Sequence, residues 1–338
     1  MTATETSPTT TPAADGFRLQ PDWAPQKRLL MAWPDDPAVW GEHLTGAQDV
    51  AVSLARAAAA FEPVSMVVHS SEVASVSLSC GGGVAAMPYA ESAAWMRDAG
   101  PLFLAAADGR RACAVWHWRP EDRRPALGRA LADDIGLPAY EAPLALERGA
   151  LDVDEVGTAL ALEGPIHAAN PGRSREELEG ILRDFLGLEK IIWLPGGLAT
   201  EGAQARTVDV ARFAAPGVVL VTEEENQRDD NAAALAETRA ALDGQRTAAG
   251  ARIRVVGVPQ PKPRKAGRVR LPLSYLNFAR VNGCLMVPAF DDRKRDQAAQ
   301  DAIIEAALDS RVESLPALEL AHGGGGLHCL TLPDPTGA

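Results

Sequence analysis

The stretch SREELEGILRDFLGLEKIIWLP, residues 174–195, contains the unit from which the chain is built. Ser174 and Glu177 have capping-box spacing, and Leu178, Ile181, Leu182 and Phe185 recur at helical intervals. The spacing predicts a helix over 174–187. A β-rich run from Lys190 to Leu194 follows and stops at Pro195. The same order of helix, short strand and proline recurs on both sides. A helix over 126–135 precedes Pro143. A helix over 231–242 and a strand over 253–258 precede Pro259, and a helix over 296–308 and a strand over 312–315 precede Pro316. Further β-rich runs lie at 218–222 and 285–287. A fifth unit, lacking the proline, fits before these: a helix from Thr45 to Ala60, a strand from Val64 to His69, then a long segment to Phe103. Five units of about 50–65 residues fit a closed pseudo-symmetric array. The same alternation fits an open α/β sheet, and spacing alone leaves both open.

Composition bounds the function. The 338 residues are 46% apolar and 23% charged, enough for a packed core. A formal charge of −12 argues against nucleic acid as a partner. Apolar runs such as Ala57 to Phe61 are far short of the ~20 residues that span a bilayer, so no membrane partner is expected. Cys80, Cys113, Cys284 and Cys329 are too scattered for a disulfide framework or a zinc site. That usage fits a reducing, cytoplasmic setting. Residues 1–16, rich in Thr, Ala, Pro and Ser, read as a disordered tail before one domain over 17–334. Neither G-x-G-x-x-G after a strand nor G-x-x-x-x-G-K-[ST] is present, so a phosphate cradle is missing.

Four segments could carry chemistry. In Ala321–Leu330, four glycines (Gly323 to Gly326) precede His328 and Cys329. Such a run is costly unless backbone must approach a ligand closely. Cys329 is the candidate nucleophile, activated by a lowered thiol pKa; a buried structural cysteine beside a flexible loop is the plain alternative. In Trp95–Pro101, Asp98 could hold a cation and Arg97 could anchor the turn or a carboxylate, or the two could form a surface pair. Trp33 ends an apolar run and could wall a pocket or fill the core. Glu147 follows a strand-like run and could point into a central cavity or to solvent. The loop from Gln260 to Arg268, rich in Pro, Lys and Arg, either covers a site or is a solvated connection.

Together these segments resemble the agmatine deiminase and bacterial peptidylarginine deiminase family of guanidino-group hydrolases. The likeness runs from about Gly16 to Leu332. Its motifs appear in order as Met31-Ala-Trp33-Pro34, Trp95-Met-Arg-Asp-Ala-Gly-Pro101, Leu146-Glu-Arg-Gly149, Trp193-Leu-Pro-Gly-Gly-Leu198, Ser274-Tyr-Leu-Asn-Phe278 with Val281-Asn-Gly283, and Gly323 to Cys329. The resemblance implies a single-domain pentein, an α/β propeller of five ββαβ-type units with the site on its axis. It implies that Asp98 and Glu147 grip a guanidinium bidentately. Cys329 would attack the guanidinium carbon, ammonia would leave, and water would hydrolyse a thiouronium adduct. Trp33, Trp95, Arg97, Asn277, Gly325 and Gly326 would line the substrate. No metal and no organic cofactor is implied. The implied partner is a small guanidino or amidino compound, and a second copy of the chain, in a homodimer, is the other candidate partner.

The chain also departs from that pattern. The family's catalytic His falls at Arg206 when 197–213 is aligned without a gap, and at Thr207 after a one-residue slip. The first register places Val208 at the acid beside it and the second places Asp209 there. An arginine at that place would repel a guanidinium, lower the Cys329 pKa, or bind an anionic group. His167, His322 and His328 are the candidates for a substitute proton carrier. The second glycine after Glu147 is replaced by Arg148, the family's Pro-His is Pro25-Gln26, and the segment around Trp116–Trp118 is shortened. An active hydrolase with a diverged substrate and a non-catalytic paralogue that binds a ligand or a partner protein both fit this pattern.

Overall fold

A computed structural model describes residues 10–89, 95–117, 126–199, 205–307 and 311–337. The helix of the repeat unit forms over Arg175–Leu186, with both expected ends in place. Ser174 Oγ accepts from the Glu177 amide, Glu177 answers the Ser174 amide, and Gly187 closes the helix at φ 65. Only glycine adopts that left-handed turn without cost. Leu178, Leu182 and Leu186 are buried in a core shared with Tyr140 and Leu144 on one side and Leu151 and Ala159 on the other.

Each unit is a short antiparallel pair, then a helix, then a strand parallel to the second of the pair. The first unit pairs Leu102–Ala106 with Arg111–His117, and Ala139–Ala145 returns after helix Ala126–Ile135. Leu151–Val153, Thr158–Leu162 and Lys190–Leu194 make the second. Ala211–Ala215, Val218–Glu223 and Arg254–Pro259 make the third around helix Ala232–Leu242. Ala279–Val281, Cys284–Ala289 and Arg311–Pro316 make the fourth around helix Arg293–Ala307. The fifth unit joins both chain ends. C-terminal strand Thr331–Pro335 lies antiparallel to Gln26–Ala32, and Val64–His69 returns after helix Leu44–Ala58. This unit also carries the extra strand Val84–Tyr89.

The array is closed, not an open sheet, because every unit bonds to the next. The Gly149 amide reaches the Asp98 carboxylate. The Phe213 amide donates to Asp152 at 2.6 Å, and Arg212 donates to the Leu276 and Phe278 carbonyls. The His328 amide donates to Asn277, and Arg97 donates to the Thr331 carbonyl at 2.8 Å, which returns to the first unit. A break in that ring would leave buried donors unsatisfied.

Two expectations need correction. Residues 10–16, expected to be disordered, form a turn: Thr10 bonds Asp15 and the Ala13 amide donates to Asp184 at 3.0 Å. Residues 1–9 lie outside the described residues, as does the shortened segment from Trp118 on. The Gln260–Arg268 loop is partly a two-stranded ribbon, Lys265–Ala266 against Val269–Arg270, tied down by the Arg270–Asp229 ion pair. Among the described residues no helix is long and apolar enough to cross a membrane.

Candidate active site

Every unit enters its first strand through a tight turn, and five such turns meet on the ring axis. They are Met96–Ala99, Arg148–Ala150, Thr207–Val210, the bend at 274–278, and Leu327–Leu330. Asp209, Asn277 and Cys329 each stand two residues before the first strand of their unit. Equivalent positions on symmetry-related turns therefore face each other across the axis.

Asn277 joins two of these groups. Its amide nitrogen donates to Asp209 Oδ1 at 2.7 Å and to Cys329 Sγ at 3.4 Å, while its Oδ1 accepts from the His328 amide at 3.0 Å. Cys329 and Asp209 are each 1% exposed. Arg206 reaches in from the same turn as Asp209. Its Nη1 donates to the Gly324 carbonyl at 2.7 Å and lies 3.8 Å from Asp209 Oδ2. Asp98 Oδ1 and Asp209 Oδ2 are sealed from solvent and accept no hydrogen bond among the described residues.

The electrostatics follow from burial. Loss of solvation raises the Asp98 carboxyl above its usual range, against the pull of Arg206, the Gly149 amide and Arg97. Burial raises Asp209 too. Arg206, the Asn277 hydrogen bond and Arg212 oppose that rise, while the charge of Asp98 adds to it. Burial pushes the Cys329 thiol up to about 11; Arg206 and Asn277 pull it down, and Asp209 and Asp98 push it further up. The expected lowering of this thiol is therefore absent: Arg206 acts in the expected direction, but burial outweighs it.

The glycine run is explained residue by residue. A Cβ on Gly323 would meet the Trp40 indole at 2.4 Å, one on Gly325 the Trp95 ring at 2.8 Å, and one on Gly326 Asn277 Oδ1 at 2.6 Å. Only Gly324 has a positive φ, at 84. Three glycines thus let two tryptophans and Asn277 pack against the backbone, and one makes the turn.

Residues 18–335 match the sequence profile of the Porphyromonas-type peptidyl-arginine deiminase family. The chain belongs to that family. It is 31% identical to an agmatine deiminase of Ectopseudomonas mendocina over 98% of this chain and all of the relative. Its fold superimposes on agmatine deiminase of Enterococcus faecalis with a TM-score of 0.91 at 25% identity, covering 97% of this chain and 98% of that one. It also matches DDAH from Pseudomonas aeruginosa with a TM-score of 0.52 at 13% identity over 91% and 99% of the two chains, a likeness of fold alone. The five-unit ring is therefore the pentein fold.

Within this family frame, the structure sorts the expected residues. Cys329, Asp98, Asn277, Trp95, Gly325 and Gly326 come together. Glu147 lies on the adjoining turn, partly buried. Trp33 is 6% exposed, and its indole donates to Glu72 at 2.7 Å, which ties it to the segment after Val64–His69. Arg97 is a correction. It is 1% exposed and its guanidinium is engaged on the strand side of the turns, with Asp22 at 3.1 Å and the Thr331 and His328 carbonyls. Asp22 also takes Arg212 at 2.8 Å, so Arg97 belongs to a buried framework cluster, not to a substrate surface.

The histidines divide similarly. The His328 ring faces Asp22 at 3.5 Å. His322 stacks on His43 at 3.4 Å, and His167 lies beside Glu163 and Trp193. Of residues 206 and 207, Arg206 enters the cluster. Thr207 does not: its hydroxyl bonds the Ala150 carbonyl and the Leu162 amide. Trp40 and Gly149 were missed. Trp40 lies in a helical turn with no motif around it, and the role of Gly149 shows only once Arg206 is placed. Among the described residues no group of three or more His, Cys, Asp or Glu could hold a metal.

Proposed function

We propose that this chain hydrolyses a C–N bond of a small guanidino or amidino compound through Cys329. The observation that carries the reading is the pair of sealed, donorless carboxylate oxygens, Asp98 Oδ1 and Asp209 Oδ2, in one cluster with the cysteine. Buried acceptors without donors suit a planar, donor-rich cation. The family relatives named agmatine deiminases support the same class.

In this mechanism Asp98 and Glu147 orient the amidine. A cation entering the buried cluster favours the thiolate, as Arg206 already does. The thiolate adds to the amidino carbon, the C–N bond to the leaving nitrogen breaks, and ammonia departs with the proton delivered to it. Water then adds to the thiouronium carbon, the C–S bond breaks, and a ureido or amide product leaves with the thiol regenerated. Asp209, linked to Sγ through Asn277 and raised in pKa by burial, is the group assigned to move these protons.

A second reading, a binding protein without turnover, is favoured by one observation: Arg206 places a cation of its own in the cluster. The test incubates wild type and Cys329→Ala with agmatine, arginine, an arginyl peptide and guanidinobutyrate. It follows ammonia and intact mass. Cys329-dependent ammonia from any of them supports hydrolysis. An adduct without turnover restricts the chain to the first half-reaction. No ammonia and no adduct with folded protein favours the binding reading.

A further inference from the structure

We infer that Arg206 is the specificity-determining residue of this site: its guanidinium occupies the carboxylate cage beside Cys329, so an external guanidinium must displace it or bind against its charge. The inference rests on the guanidinium reading above. Four observations converge on it. The Arg206 side chain is 8% exposed, with Nη1 3.8 Å from Asp209 Oδ2 and 2.7 Å from the Gly324 carbonyl. Its charge acts on all three groups assigned to the chemistry: Asp98, Asp209 and Cys329. Its stem lies over Gly149, where a Cβ would stand 3.0 Å from Cδ and 3.3 Å from Cγ. The turn that bonds Asp98 therefore has a glycine where the arginine passes. Finally, the separation from Asp209 exceeds a hydrogen bond and Asp98 Oδ1 has no donor among the described residues, so the cage is filled without being saturated.

A second guanidinium beside Arg206 would face a like charge in a poorly solvated place. At about 5 Å and an effective dielectric of about 20, the repulsion is worth on the order of 10²-fold in affinity. Displacement instead requires the Gly324 contact to break and the side chain to leave its bed on Gly149. In either case wild type should bind simple guanidinium compounds weakly.

The experiment compares wild type with Arg206→Gln, and with Arg206→Met, which retains an apolar stem over Gly149. Melting temperature checks that each is folded, and the Met variant decides if the Gln variant is not. Methylguanidinium and methylammonium binding are measured by calorimetry. The expected result is a gain of about 10- to 100-fold for methylguanidinium on removal of Arg206, with methylammonium changed less than about threefold. Equal methylguanidinium affinity in wild type and variant overturns the inference. So does an equal gain for methylammonium, which would mean a change of charge without a vacated guanidinium subsite. Ammonia release separates the two claims. A variant that binds methylguanidinium tightly but yields no Cys329-dependent ammonia from the guanidino panel leaves the inference standing and removes the hydrolase reading. Ammonia from wild type with no gain on removing Arg206 does the reverse.

Discussion

Gly326→Ala isolates the close packing that sets Cys329. Gly326 has extended backbone, φ −146 and ψ −162, which alanine adopts freely. The whole cost is therefore steric. The new Cβ would lie 2.6 Å from Asn277 Oδ1 and 2.8 Å from its Cγ. To reach an ordinary contact of about 3.4 Å, one side must move by about 0.8 Å. Asn277 cannot yield cheaply, because its amide holds Asp209 and Sγ while Oδ1 holds the His328 amide. Weakening two such bonds costs about 1 kcal/mol each, and overpacking adds about 1–3 kcal/mol. We expect about 3 kcal/mol of destabilisation, a melting temperature lower by roughly 4 °C, and a displaced cysteine. A misplacement near 1 Å costs on the order of 10²-fold in rate. Gly324→Ala is the comparison. It has φ 84 and open space for a Cβ, so it should cost about 1–2 kcal/mol of backbone strain and leave Cys329 reactivity unchanged. Calorimetry and the rate of Cys329 alkylation, followed by intact mass, check both variants. A Gly326→Ala protein that melts within a degree of wild type and is alkylated at the wild-type rate would refute the packing argument.

Asp22→Asn should destabilise the fold by about 3–5 kcal/mol in urea titration, because it leaves buried Arg97 and Arg212 without their shared carboxylate; an unchanged midpoint would contradict the framework role. Glu62→Gln should be pH-dependent. Burial raises the folded Glu62 carboxyl to about 7 from 4.5, so between those values the native state binds more protons than the unfolded chain, and stability falls as pH rises. Glutamine keeps an acceptor for the Asn282 amide and lacks the charge. Its melting temperature relative to wild type should rise from pH 4.5 to 7 and then level off; a pH-independent difference would sink this assignment.

The repeat was legible because three parts of each unit are local. A capped amphipathic helix such as Arg175–Leu186 declares its ends through Ser174 and Gly187, and the strand after it is a β-rich run. The antiparallel pair of the second unit was not legible. Leu151–Val153 is three residues long, and Thr158–Leu162 is buried throughout, so neither shows the alternation that marks a half-buried strand. Closure was also hidden, since the fifth unit is assembled from residues about 300 apart, with Thr331 facing Met31 across the sheet. The proline that marks the last strand of the other four units is absent from Val64–His69, which is central, paired on both sides by Gln26–Ala32 and Val84–Tyr89. Proline does sit in the edge strand Val84–Tyr89, at Pro88.

The site was legible where a motif names a residue and ambiguous where geometry must choose a register. Residues 206 to 209 show why. In linear alignment, either Arg206 pairs with Val208 or Thr207 pairs with Asp209 as the family's basic and acidic positions. The chain adopts neither pairing, because Thr207–Val210 is a helical turn. On a helix, positions three apart share a face and positions two apart do not. Arg206 and Asp209 therefore face the axis together at 3.8 Å. Thr207 turns back to bond Ala150 and Leu162, and Val208 is fully buried. Each alignment contained one of the two residues that matter. The pair places a cation against a carboxylate three residues on, and this local contact brings a guanidinium to Cys329 before any substrate arrives.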